Sequence, residues 1–210
     1  PNPQDWSVCW YPITHWTTGS VRADDAYKGG GGTGDGWQTH RLETFSLDAT
    51  DDVTDGKWYH LCVSIQRCNS ALKVLNICTL EQVPLRDRRI AEMKVLRAHY
   101  FFELQRMFNL IPWFDETMDN ATVQTTPNNQ YSREELLEKI AQEIRGSLDN
   151  LPEVQSEVGR VNKYMAKAYL AKVMLYRAYE QNPQTHAVEN INTNSLKEVV
   201  TLCKEIRFSG

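Results

Sequence analysis

The sequence contains no apolar run approaching the length of about 18 residues that a membrane-spanning helix needs. Its first residues, PNPQDW, carry no charged and apolar export segment. It has no concentrated basic surface either. The net charge is -4, acids and bases are mixed along the chain, and the nearest basic run, RDRRIAEMK, is interrupted by acids and reads as a solvated helix face. Nucleic acid is thereby excluded as the main partner, because phosphate binding needs clustered lysine and arginine. The five cysteines, Cys9, Cys62, Cys68, Cys78 and Cys203, include no CxxC pair. His60, Cys62 and Cys68 project in different directions from one helical stretch, so neither a metal site nor any other cofactor is expected. Three of the five cysteines fall in apolar helical patterns, where a thiol packs as a small hydrophobe.

Strand alternation is nearly missing after residue 57, and helical spacing takes its place. Residues 1–57 are rich in Gly, Asp, Thr and Trp, show no sustained period, and read as loop. From Lys57 the pattern changes: Trp58, Leu61, Cys62, Ile65, Cys68, Ala71, Leu72 and Leu75 follow helical steps over roughly five turns. Pro84 separates this helix from the next, which runs from about Leu85 to Leu110. On it Ile90, Met93, Arg97, Tyr100, Phe101, Leu104, Met107, Phe108 and Ile111 form a face that must be buried, with Arg97 its polar member. Val95, Ala98 and Phe102 make a second stripe, so partners are expected on more than one flank. Asn109 suits a left-handed position after the helix and Pro112 stops further winding. Trp113 and Phe114 come next, divided between core packing and contact with a ligand or partner.

Residues 112–131 read as a long polar loop. Ser132 and Glu135 match the S-x-x-E capping box, and Leu136, Ile140, Ile144 and Leu148 follow at four-residue steps until Pro152. A further helix covers about 161–182, where Ala166, Ala168, Ala171 and Ala178 let neighbours approach closely, and Ser195 is placed to cap a last one. The expected fold is all-α, with five helices whose last pair, 160–180 and 195–207, has the build of a tetratricopeptide-like repeat. The chain divides accordingly into a loop-rich region, 1–57, with the candidate ligand site, and a helical scaffold, 58–210.

The patch KGGGGTGDGW contains a literal GxGxxG at Gly29, Gly31 and Gly34. No apolar strand enters it, no helix is expected directly after it, and no Lys-Ser or Lys-Thr follows, so neither dinucleotide nor nucleotide phosphate fits. The surroundings suit a sugar better. Carbohydrates present apolar C–H faces and rings of hydroxyls, which call for exposed aromatic planes and polar side chains together. Trp10, Trp16 and Trp37, interleaved with His15, Arg22, Asp24, Asp25, Asp35, His40 and Arg41, supply both. Trp37, Asp35, His40, Trp16 and Asp25 are the candidate ligand-binding residues, with Trp37 first because glycines flank it. Packing of these tryptophans onto the helices is the competing role. Catalysis is not expected. Adjacent Asp24 and Asp25 tend to point apart, whereas glycoside hydrolysis needs two carboxyl groups across the bond at a fixed separation, and no Ser-His-Asp set is visible.

Four blocks in order, DDAYKGG, WYHLCVSIQRCNSAL, EMKVLRAHYFFELQRMFNLIPWF and GRVNKYMAKAYLAKVMLY, resemble the SusD/RagB family of outer-membrane glycan-binding lipoproteins from about Trp16 to Gly210. The residues that carry the resemblance are Trp58, Arg67 and Asn69, then Arg97, Ala98, Ile111 and Pro112, then Gly159 and Arg160. Asn109 stands where the family usually has glycine. The family's longer chains, with a lipid-modified N-terminal cysteine and a C-terminal part, imply that this is an N-terminal and central portion. Cys9, preceded by no apolar segment, is not the lipid site. The resemblance implies non-catalytic capture of oligosaccharide at the cell-surface face of the outer membrane. The partner would be a SusC-like TonB-dependent transporter, and a lipid anchor missing from this chain would be the sole membrane attachment. A peptide ligand, as in RagB-like relatives, or a helical-repeat module that binds protein, is the alternative.

Overall fold

The computed structural model describes residues 16–48 and 51–207, so Cys9, Trp10 and His15 lie outside the described residues. Helices are numbered in chain order: α1 (Trp16–Val21, a π-helical turn), α2 (Trp37–Glu43), α3 (Asp52–Ile77), α4 (Arg86–Phe108), α5 (Asn120–Thr125), α6 (Arg133–Arg145), α7 (Lys163–Ala178) and α8 (Thr193–Arg207). Two short strands, β1 (Tyr179–Gln181) and β2 (Val188–Ile191), pair antiparallel between α7 and α8. The protein is mainly helical, and its second half is a tetratricopeptide-like helical array. The chain forms two compact units that divide between Val63 and Ser64, inside α3.

In the second unit α6 packs on α4 and on α7, and α7 packs along α8. The four-residue stripe of α6 explains its place: Leu136, Leu137, Ile140, Ala141 and Ile144 are all buried, each large one worth about 1.5–3 kcal/mol of transfer from water. The helix starts where the sequence places it. Ser132 Oγ accepts from the Glu135 amide, and Glu135 Oε2 accepts from the Ser132 amide at 2.8 Å. α4 is buried on two flanks. Ala91, Val95, Ala98 and Phe102 are as deeply covered as Phe101 and Leu104, whereas Met93 and Met107 are only partly covered.

At the centre of this unit is Arg97, only 2% exposed. Its guanidinium grips Glu143 of α6 with two bonds of 2.8 Å, donates to Asn69 Oδ1 of α3 at 2.7 Å, and donates to Glu116 beyond α4. Burial, the largest single influence, works to lower its pKa. The bonds and charges of Glu143 and Glu116 outweigh that and hold it above the ordinary arginine value. Asn69 in turn donates to the Phe114 carbonyl at 3.2 Å. The chain after α4 is thus drawn back over Phe101, whose ring stacks on Trp113 at 4.3 Å and meets Phe114 edge-on at 5.4 Å. Trp113 and Phe114, both 5% exposed, are core residues. The Gly-Arg block ahead of α7 has a comparable role: Gly159 turns at φ 90°, and Arg160 reaches buried Glu92 of α4 at 3.2 Å.

Several local expectations change. α2 forms inside the region read as loop, because Gly36 at φ 64° lets the chain turn into it and Thr39 and Leu42 find burial. α3 begins at Asp52 rather than near Lys57, passing through Gly56. α7 ends at Ala178 rather than running on to 182, because Tyr179–Gln181 pairs as a strand with β2. Ser195 does not cap α8. Asn192 Oδ1 accepts from the Ser195 amide at 3.1 Å, while the buried Ser195 hydroxyl accepts from Arg177 at 2.8 Å. The carboxamide three residues earlier reaches the free amide, and the serine is left for α7.

Replacing Arg97 strands two carboxylates, so Arg97→Ala should lower unfolding stability by about 3–5 kcal/mol in urea titrations. Combining Arg97→Met with Glu143→Gln and Glu116→Gln should recover much of the loss. A second expectation concerns alkali. Burial pushes the Tyr169 phenol well above the ordinary tyrosine value, and the Glu103 carboxylate that accepts its bond at 2.9 Å pushes the same way. The folded chain therefore holds this proton more tightly than the unfolded chain. The contribution is complete below the unfolded value of about 10 and is lost as pH rises from there towards the folded one. Tyr169→Phe should flatten the alkaline fall of Tm. A residual slope of the same sign belongs to Cys62 and Cys68, whose thiols burial pushes up to about 11.

Candidate functional site

The first unit contains α1 and α2, which pack against each other, with Thr17 and Val21 of α1 and Thr39 and Leu42 of α2 buried. After α1 the chain closes on itself: the Asp25 and Ala26 amides both donate to the Ser20 carbonyl, at 3.0 and 3.1 Å, and Asp24 takes a positive φ of 60°. The glycine loop follows. Lys28 Nζ sits inside it and donates to the carbonyls of Gly29, Gly32 and Asp35 at 3.0, 2.7 and 2.6 Å. The Asp35 carboxylate accepts from the Gly31 amide at 2.8 Å. A side chain at Gly30 would meet that carboxylate, its Cβ 2.5 Å from Asp35 Oδ2, and Gly30 itself has φ 83°. The loop is a self-bonded ring filled by its own ammonium group.

The sequence-derived site residues separate by role. Asp35, Trp37 and His40 share the head of α2, Trp16 begins α1, which packs against α2, and Asp25 is exposed in the turn after α1. Asp35 is engaged by the loop, and His40 Nδ1 lies 3.4 Å from Glu43 Oε2. Arg41 is held by the Ser46 carbonyl and by Asp48 and Asp51, each carboxylate at 2.9 Å. These polar groups brace the surface. The indole faces do not share that fate: Trp16 and Trp37 are 48% and 46% exposed. The Arg41 guanidinium lies 5.9 Å from the Trp37 ring centroid and steadies it.

Two further aromatic residues join this surface, and sequence reading passed over both. Tyr27 is exposed between Ala26 and Lys28, and Phe45 is exposed at φ 55° beyond α2, with Arg22 4.9 Å over its ring. Phe45 has an alternating-polar neighbourhood that reads as ordinary loop. Its outward placement depends on the left-handed turn that ends α2. Trp16, Tyr27, Trp37 and Phe45 are thus four exposed rings in this unit, and an exposed ring is a means to hold a hydroxylated ligand by stacking. Among the described residues no cluster of three or more His, Cys, Asp and Glu could hold a metal ion, and no helix is long and apolar enough to cross a membrane.

No family model matches the chain. A curated relative described as a SusD-like protein, from Bacteroides ovatus, is 29% identical over 170 residues, which is 80% of this chain and 29% of the relative. A solved structure described as containing xylogluco-oligosaccharide aligns with 97% of this chain and 39% of its own, at TM-score 0.71 and 21% identity. Another, described as a laminarin-binding SusD-like protein, aligns with 86% of this chain and 35% of its own, at TM-score 0.66 and 24% identity. This chain is similar to SusD-like proteins in sequence and in fold. It spans about 29% of the length of the curated relative.

The glycine ring can be tested without any ligand. Lys28→Met and Gly30→Ala should each speed limited proteolysis within 28–36, while the melting of the helices, followed by circular dichroism, stays nearly unchanged. Equal cutting in all three chains would show that the ammonium and the glycine do not hold the loop.

Proposed function

We propose, on the premise of a sequence and fold shared with SusD-like proteins, that this chain belongs to a non-catalytic cell-surface protein that binds oligosaccharide. The bound glycan would be imported through a SusC-like TonB-dependent outer-membrane transporter. The observation that carries the reading is the set of exposed rings on the first unit, Trp16, Tyr27, Trp37 and Phe45. A buried aromatic residue serves the core, but exposed ones supply planes on which sugar C–H faces stack. The loop-rich region is the ligand-binding part in this proposal, and the helices from α3 onward are its scaffold. The two solved relatives support the ligand class, since one is described as laminarin-binding and the other contains xylogluco-oligosaccharide. Attachment at the outer-membrane surface by a lipid anchor belongs to the same proposal.

The test is calorimetry of the chain against a panel of neutral glycans, with Trp37→Ala beside the parent. Binding should weaken about tenfold in the variant, which corresponds to about 1.4 kcal/mol for the loss of one stacking plane. Binding of peptides alone, or glycan binding indifferent to Trp16, Tyr27, Trp37 and Phe45, would overturn the proposal. The transporter partnership predicts that the protein co-purifies with a SusC-like barrel expressed alongside it.

A further inference from the structure

A second hydrogen-bonding surface lies in the helical unit, between the end of α4, the start of α6 and the β1–β2 hairpin. Two adjoining cavities of about 300 and 350 Å³ meet there and share Asn109, Arg133, Gln181 and His186. Each is at the lower end of the range of about 300–1,000 Å³ for small-molecule sites. The wall is rich in amides. Gln105 adds one in the first cavity, and Asn129 and Asn182 add two in the second. Tyr176 lines the first cavity and Tyr131 the second, with Arg106 5.3 Å from the Tyr176 ring centroid and Lys139 4.7 Å from that of Tyr131.

The charges at the cleft are already satisfied. Arg133 donates to the carbonyls of Tyr176 and Tyr179 at the end of α7, at 3.0 and 3.2 Å, and to Glu134 at 3.0 Å. Arg106 is held by Glu103 at 3.0 Å. No uncompensated charge is therefore offered to an ion. The amides differ. Gln105 is only 3% exposed, and its side-chain Oε1 has no hydrogen-bond donor. A buried acceptor left unpaired costs about 1–3 kcal/mol, and a hydroxyl entering the cleft can relieve it because the terminal amide torsion is soft. Asn109 and His186 are held at φ 60° and 58°, so both rims are fixed by residues in a sparsely populated conformation, a kind of strain that collects at ligand clamps. Asn182 fixes the hairpin loop by accepting the Gln184 and Thr185 amides at 2.9 Å.

We propose that this cleft is a second binding site, for a neutral saccharide of one or two sugar units, whose hydroxyls pair with Gln105, Asn109 and Gln181 and whose C–H face lies against Tyr131 or Tyr176. Neutral paired walls, planar amides and aromatic rings match a polyhydroxylated ligand without net charge. The choice of a saccharide among such ligands rests on the glycan reading of the first unit; the position of the site does not.

Saturation-transfer NMR and calorimetry with cellobiose, laminaribiose, xylobiose and maltose separate the two sites. Asn109→Gly keeps the positive φ and removes the carboxamide, and Gln181→Ala removes a second one, so the pair spares the fold, which helical circular dichroism verifies. The Trp16→Ala/Trp37→Ala chain should retain binding of at least one disaccharide, and adding Asn109→Gly/Gln181→Ala should weaken that residual binding at least about tenfold, the loss of two hydrogen bonds. If the parent binds one of the four sugars and the tryptophan variant binds none, the cleft proposal fails and the loop reading stands; if neither chain binds any, the cleft proposal also fails. If its residual binding is indifferent to the amide pair, the cleft proposal also fails. If the amide pair abolishes binding and the tryptophans change nothing, the cleft is the site and the loop reading fails.

Discussion

One guanidinium holds the helical unit together. Arg97 is the point at which α3, α4, α6 and the segment after α4 meet, through Asn69, Glu143 and Glu116. A buried charge is tolerated only when opposite charge and hydrogen bonds replace water, and here both are present in bidentate geometry. The aromatic packing depends on it. Glu116 and Asn69 pin the returning chain, and that return seats Trp113 against Phe101. Lys139 of α6, 4.9 Å over the Trp113 ring, closes the same packing from the other side. Glu92 repeats the pattern at the opposite end of α4, where Arg89 and Arg160 tie it to the approach to α7. α4 is therefore the axis of the unit: its apolar residues supply area, and its buried charges, Glu92, Arg97 and Glu103, select which segments may cover it.

The first unit solves a different problem with similar means. A glycine-rich loop loses much conformational entropy when it is ordered. Lys28 answers with three bonds to carbonyls, and Asp35 with one to an amide. Polar side chains that resemble ligand donors are engaged in bracing, and the aromatic rings they brace are left facing solvent. Rigid aromatic planes bind at low entropic cost, because little freedom remains to be lost when a ligand arrives.

Much of the scaffold was legible along the chain because its signals are local. The capping box at Ser132 and Glu135, the four-residue stripe of α6, the stop after Phe108 and the polar intruder Arg97 on an apolar face each express one rule of helical geometry. The misses came where a local rule had a rival nearby. Asn192 took the cap that Ser195 offered, Tyr179–Gln181 left a helical pattern for a strand, and Gly36 allowed a helix to begin inside a glycine-rich loop. For the candidate site, composition pointed to Trp16 and Trp37, and both indoles are exposed. It did not point to Tyr27 and Phe45, since outward exposure leaves no periodic trace.

The sequence by itself determined the helical class, the order of the long helices and the residues that carry the likeness to SusD-like proteins, because periodicity, capping and motif order are properties of neighbours along the chain. Tertiary structure alone decided that Trp113 and Phe114 belong to the core, that Asp35 bonds the Gly31 amide and His40 lies beside Glu43, and that distant amides from α4, the segment before α6 and a hairpin line one cleft. Those outcomes depend on which groups satisfy one another across long stretches of chain, and no local pattern encodes the partner of a buried charge or an exposed ring.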